Sequence, residues 1–336
     1  MKSRKLYFDT IKLFAIFVVF TTHFVATFNE DYFRFWTDLP TAFFLKGVSG
    51  KFGVAVFSVI LGYFAFRSSE KNIAKYTIKR YVYFVLCGLF INAVYALYAV
   101  ARHDDPVTLY RLIRTSVLLG SSIYPTFWCI RPFMAGSFVS RLNRLVHDRM
   151  KKDSLTVALV IAEAAVFIYL KQIWIAICIM GNAVPVLEDN ETVRKIISSR
   201  AVRIIIYLAA FCAIKRSGSD ITYLIDGFSS AFVLLALSRS TQITRILNNR
   251  ALASAGRNTM AIYLIHNLLY ETIGGYIVSD SAFVPTFLAA FVISWVVIVL
   301  LSYPVTSLLN GANRLCGGII DKVFSLTDTT DKKGAI

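Results

Sequence analysis

Ten stretches of this chain are apolar over about the length a helix needs to cross a bilayer. They fall at roughly 9–28, 47–66, 78–100, 122–140, 153–170, 172–188, 201–215, 219–238, 251–275 and 283–309. A membrane span asks for about 17 to 25 such residues, and only the stretch at 201–215 falls short. The length of 336 residues would suit two soluble domains, but 57% hydrophobic and 17% charged residues exclude that class. The connections are too short to hold a soluble domain. The expected architecture is all-α: a polytopic membrane helical bundle of about ten transmembrane helices over 1–319. A polar tail with little order is expected over 320–336.

A formal charge of +16 raises nucleic acid as a partner, and the distribution of that charge argues against it. Lys and Arg concentrate in alternate connections. One side holds Lys2, Arg4 and Lys5, then Arg67, Lys71, Lys75, Lys79 and Arg80, then Arg141, Arg144, Arg149, Lys151 and Lys152. It continues with clusters at 194–203, 239–257 and 314–333. The other side holds nine: Arg34, Lys46, Lys51, Arg102, Arg111, Arg114, Lys171, Lys215 and Arg216. The positive-inside rule then makes both termini cytoplasmic. The five cysteines show no close pair and no zinc-like spacing, so no metal is expected. The first span is followed by Asn29-Glu30-Asp31-Tyr32 rather than a small-residue cleavage site, so it is expected to stay in the mature protein.

The first span carries residues that cost energy in lipid. Lys12 precedes His23 by eleven residues. Eleven helical steps return to within roughly 20° of the same face, about 16 Å further along the axis. Asp9 shares that face. Ionisable groups in a membrane helix are expensive, so by default they line a protein interior or a watery cavity and act there. His23 is the leading chemical candidate.

Further polar residues interrupt later spans: Asn92, Arg131, Glu163, Asn182, Asp226, His266 and Asn267. Tyr263, His266, Asn267 and Tyr270 follow i, i+3, i+4, i+7 spacing and form a second polar stripe able to meet the first. Asn92 and Asn182 read as hydrogen-bonding glue between helices. Glu163 and Asp226 pair with Arg131 or a neighbour, or carry function. The basic pair Lys79-Arg80 opens the third span, where the helix dipole favours negative charge. It reads either as a topological anchor or as a phosphate clamp, because Arg offers a fork of donors and Lys a strong point charge. Lys12, near the same boundary, would complete such a clamp. Residues 109–119 form an amphipathic piece suited to the membrane interface, and with 29–46 cover the outer mouth of a cavity.

Five motifs in order resemble the integral-membrane acyltransferase-3 family. They are Tyr7-Phe8-Asp9-Thr10-Ile11-Lys12 through His23-Phe24, Phe57 through Gly62-Tyr63, Lys79-Arg80, Phe127-Trp128, and Thr259 through Tyr263-Leu264-Ile265-His266. Two positions depart from the family pattern: Tyr83 stands where a second Arg often follows, and Leu61 replaces a small polar residue before Gly62.

The resemblance implies a multi-pass protein of a bacterial cytoplasmic membrane. It implies transfer of a short acyl group, acetyl from acetyl-CoA in the first instance, to a hydroxyl of a cell-surface or lipid-linked glycan. His23 would act as general base or acyl carrier. Lys12, Lys79 and Arg80 would bind the acyl-CoA co-substrate, with no resident cofactor. Asp9, Trp128, Arg131, Tyr263, His266 and Asn267 would support the site or its acceptor side. Without room for the extracytoplasmic esterase-like domain of some relatives, the chain is expected to pass the acyl group directly to its acceptor or to a separate partner. The competing classes are a glycan or small-solute transporter or flippase, which would use the same polar stripes, and a non-catalytic membrane sensor. No internal repeat of the kind common in transporters is visible.

Overall fold

The computed structural model describes residues 6–28, 50–102, 107–120, 123, 128–214, 220–279 and 282–333. Among them the chain is all helical, with no strand. The expected outer connection 29–46 and Phe127 of the fourth-span motif lie outside the described residues.

Helix α1 (Tyr7–Thr27) matches the first expected span, α2 (Gly50–Phe66) the second and α3 (Ile73–Ala101) the third. The amphipathic piece is α4 (Leu109–Val117). It does not float on the surface. Asn92 donates from its amide to Thr115 Oγ1 at 3.2 Å and to Ser116 Oγ at 2.9 Å, all three buried, so Asn92 glues α4 to α3.

The fourth span is displaced. Helix α5 (Ile130–Met150) starts eight residues after the expected 122 and ends ten after the expected 140. Pro132 explains the start, since proline is tolerated in a first helical turn and not in an interior. Arg141, expected among the cytoplasmic charges, is instead 2% exposed and donates to the carbonyls of Ala65, Ser68 and Glu70 at the end of α2. Helix α6 (Asp153–Tyr169) follows as expected.

The sixth span is broken rather than continuous. It forms α7 (Ile173–Met180) and α8 (Ala183–Asp189), separated by a turn at Gly181 and Asn182. Pro185 lacks the N–H that a continuous ladder would need at Gly181, so the break falls one turn before it. Short helix α9 (Glu191–Ser198) leads to α10 (Arg200–Ile214) and α11 (Asp220–Leu237). The ninth span is also divided. After α12 (Thr241–Leu247), α13 (Arg250–Arg257) stops at Asn258 and α14 (Thr259–Ile277) begins.

The last helix, α15 (Phe283–Lys333), runs well past the expected end at 309 and stays helical through most of the expected tail. From 319 to 333 the sequence holds no Gly or Pro to stop it. Asp321 on this extension pairs with Lys75 Nζ and Lys79 Nζ, each at 2.7 Å, which ties it to the start of α3.

Three described helices are long and apolar enough to cross a membrane: Tyr7–Thr27, Ile73–Ala101 and Pro285–Leu326. Gly50–Phe66 and Thr222–Leu237 are apolar but shorter. The correspondence of one helix to each of ten spans therefore does not hold. Breaks at Gly181 and Asn258, and a late start at Ile130, divide what composition alone joins.

Helix α1 packs on α2, α13 and α14. Between α1, α14 and α15 the contact is aromatic. Phe24 lies 5.9 Å from Tyr270, 5.2 Å from Phe287 and 5.3 Å from Phe291 between ring centroids, with large interplanar angles. Lipid chains are as apolar as these rings, so close packing rather than water exclusion holds such helices together.

Two glycines set the closest approaches. A Cβ at Gly62 would lie 1.8 Å from the Cys178 carbonyl oxygen, and one at Gly256 would lie 1.8 Å from that of Asp9. The second contact presses α13 against the start of α1. Gly256→Ala is expected to force the two backbones apart and to destabilise by about 1–3 kcal/mol, the usual cost of overpacking. Thermal melting in neutral nanodiscs would read this, and an unchanged melting point would show that α13 can move freely.

Candidate active site

The first-span stripe is intact in three dimensions. Asp9 is 2% exposed and its Oδ1 pairs with Lys12 Nζ at 2.7 Å, one helical turn apart. Lys12 then borders a cavity of about 220 Å³. Arg80 from α3, Arg257 from the end of α13 and Tyr263 from α14 line it too, with Phe57 and Phe133 among its apolar walls. Three cationic side chains from three helices thus share one partly apolar space. The Arg80 Nε is buried with no hydrogen-bond partner among the described residues, a costly state that an incoming acceptor oxygen would relieve.

The two departures from the family pattern, Leu61 and Tyr83, face this same cavity. A phenol and an isobutyl group there replace polar capacity with bulk.

From Tyr263 the polar stripe climbs α14. Tyr263 accepts from the Cys129 thiol at 3.0 Å, and its ring centroid lies 5.8 Å from that of His266. His266 is fully buried, and its Nδ1 donates to the Tyr263 carbonyl at 2.7 Å. That bond fixes the tautomer, because a carbonyl only accepts. It leaves Nε2 as a bare lone pair, buried and without a hydrogen-bond partner among the described residues. The His23 ring stands 5.5 Å from the His266 ring. One turn further out, the Thr27 and Tyr270 hydroxyls are 3.2 Å apart. The two stripes meet at the His23–His266 contact.

Other residues expected at the site lie elsewhere. Lys79 is drawn to Asp321 and does not line the cavity, although its neighbour Arg80 does. Successive helical residues point about 100° apart, and here the two basic side chains diverge, Lys79 to Asp321 and Arg80 to the cavity. Arg131 donates from Nε to the Leu118 carbonyl at 2.9 Å and borders a different cavity. Trp128 packs on Trp174 with centroids 5.3 Å apart, and Trp174 in turn stacks on Tyr223 at 5.6 Å. Asn267 sits one position past His266, its Oδ1 buried with no hydrogen-bond partner among the described residues.

Nor does Arg131 pair with Glu163 or Asp226 among the described residues. Glu163 accepts from the Asn143 amide at 2.6 Å. Asp226 is 1% exposed with both carboxyl oxygens lacking hydrogen-bond partners among the described residues. Asn182, expected as glue, likewise leaves both side-chain polar atoms unpartnered. Arg257 was hidden among the cytoplasmic charges. Its one signal is position, two residues before the Thr259–Ile277 helix that carries Tyr263 and His266.

The arrangement joins an anion-compatible cavity to a histidine pair through Tyr263. A search of curated proteins and of solved structures found no match. The model of one family, described as an acyltransferase domain, matches residues 5–303. That match takes in α1 with His23, the cavity and the whole of α14, so the chain belongs to the acyltransferase-3 family of membrane acyltransferases.

Proposed function

We propose that the protein is an O-acyltransferase that moves a short acyl group, acetyl from acetyl-CoA, onto a hydroxyl of a cell-surface or lipid-linked glycan. The observation that carries this reading is the convergence of Lys12, Arg80 and Arg257 on one cavity whose wall residue Tyr263 packs against His266, with the His23 ring 5.5 Å beyond it. Lys12, Arg80 and Arg257 would hold the phosphates of the donor. The partly apolar walls suit the remainder of a pantetheine-like arm.

A sugar hydroxyl is a weak nucleophile, so a base that takes its proton during attack lowers the barrier. In this reading His23 accepts that proton as the hydroxyl oxygen bonds to the thioester carbonyl carbon. The carbon–sulfur bond then breaks, the ester forms and the CoA thiolate leaves, taking up the proton. His266 acts as a positioning residue, its orientation set by the bond to the Tyr263 carbonyl. In the two-step variant His23 itself carries the acyl group before the hydroxyl attacks.

Proteoliposomes given labelled acetyl-CoA and a membrane-glycan extract are expected to release CoA and to label the glycan. Solute uptake without CoA release would favour the transporter class instead. Lys79→Ala offers a finer check. Because Lys79 is engaged by Asp321, the substitution is expected to change the donor KM less than twofold, whereas the cavity-lining arginine changes it strongly. Equal effects in steady-state kinetics would return Lys79 to the donor site.

A further inference from the structure

A second cavity, of about 660 Å³, shares no lining residue with the first. It opens between α4 and the start of α5, and three arginines border it: Arg111 and Arg114 from α4 and Arg131 from α5. No carboxylate lines it among the described residues. Arg114 stacks over the Tyr110 ring with 5.9 Å from guanidinium carbon to centroid. Neither Arg114 nor Arg131 forms an ion pair among the described residues.

The cavity is built rather than incidental. Buried Asn92 sets the register of α4 through Thr115 and Ser116. Helix α4 then ends on Leu119, whose φ of 51° is left-handed, while the Gly120 N–H donates back to the Thr115 carbonyl at 2.7 Å. Left-handed backbone is costly for a leucine, so the surroundings must enforce this turn. It presents the Leu118 carbonyl to Arg131 Nε, fixing the plane of that guanidinium. Gly120 lets it close in, since a Cβ there would lie 3.3 Å from the terminal nitrogen.

Arg111, Arg114 and Arg131 are all solvent-exposed, so water solvates each, and what marks the space is that three like charges face it from two helices, so that an anion entering it is attracted by all three. Guanidinium forks match tetrahedral oxyanions, above all phosphate. We propose that Arg111, Arg114 and Arg131 form a phosphoryl-binding site for a phosphorylated lipid or sugar, separate from the cavity of Lys12 and Arg80. The proposal is independent of acyl transfer. By the charge pattern of the sequence, Arg111 and Arg114 belong to an outer connection, so this site would serve the face opposite the donor.

Calorimetric titration of inorganic pyrophosphate into the full chain in phosphatidylcholine nanodiscs tests it. Arg114→Gln and Arg131→Gln are each expected to weaken one binding event by about tenfold, the loss of one charge-assisted contact, with Arg114→Lys intermediate. Arg80→Gln is expected to leave that event in place. Arg131→Gln also removes the Leu118 contact, so if it elutes as aggregate, Arg114→Gln carries the test. Loss of the pyrophosphate event in phosphatidylglycerol nanodiscs would assign the site to a lipid headgroup. Competition by glucose 1-phosphate in the neutral nanodiscs would assign it to a sugar phosphate. The proposal is overturned if the parent shows no such event, if folded Arg114→Gln binds as the parent does, or if only Arg80→Gln removes binding.

Discussion

Replacing His23 by Ala is expected to lower the acyl-transfer rate by roughly 100- to 10,000-fold, the range a positioned general base contributes. The loss should fall on kcat, because the proton is taken in the transition state and not in binding the substrate. His266 is a poor substitute. Its Nε2 lone pair is free, but the ring is fully buried while the His23 ring is partly exposed, so an incoming hydroxyl meets His23 and not His266. The measurement is CoA release in proteoliposomes with protein amount and membrane insertion matched. Activity near that of the parent would remove His23 from the mechanism. Under the two-step variant, His23→Ala would also abolish labelling of the protein by radioactive acetyl-CoA in the absence of acceptor, which separates the two routes.

Arg80→Ala is expected to raise the KM for acetyl-CoA by about 10- to 100-fold with a smaller change in kcat. Hydrogen bonds to charged groups are worth about 1.5–3 kcal/mol, and each 1.4 kcal/mol is a factor of ten. Arg80 is the best single test of the donor site because its Nε is buried without a hydrogen-bond partner among the described residues, so its removal breaks no ion pair and costs only the contact of the guanidinium with the Phe84 ring. Lys12→Ala should act in the same direction but is compound. It also strips buried Asp9 of the ammonium 2.7 Å away, so stability must be measured beside KM. Equal KM values for parent and Arg80→Ala would leave Arg80 as a topological anchor. A fall in kcat without a change in KM would mean that the cavity shapes the transition state rather than holding the donor.

The histidine stripe was legible because a helix has one period. Once 7–27 is helical, Asp9, Lys12 and His23 must share a face, and the same rule puts Tyr263, His266 and Tyr270 on another. The meeting of His23 and His266 needed only that two costly stripes hide from lipid against each other. The basic pair was not legible in this way. Lys79 and Arg80 are adjacent in sequence, yet one turns to Asp321 on a helix more than 200 residues away and the other into the cavity. Arg257 gave no signal beyond its place just before the Thr259–Ile277 helix, because a charge beside a membrane boundary looks the same whether or not a pocket lies behind it.

Hydropathy also joins what backbone chemistry separates. It carried no mark of the turn at Gly181 and Asn182, which Pro185 and the close approach to α2 impose. Nor did polarity end the last helix, because Ser, Thr, Asp and Lys without Gly or Pro can remain helical when Asp321 finds two lysines.

By itself the sequence determined the helical class, the family motifs and the two polar stripes, because each depends only on composition and on the fixed period of a helix. Only the tertiary structure decided which cations line the cavity, that Leu61 and Tyr83 stand on its wall, and that Arg131 joins Arg111 and Arg114 in a second one. Those outcomes depend on which helices are neighbours and how far one slides along another, and helical period does not encode either.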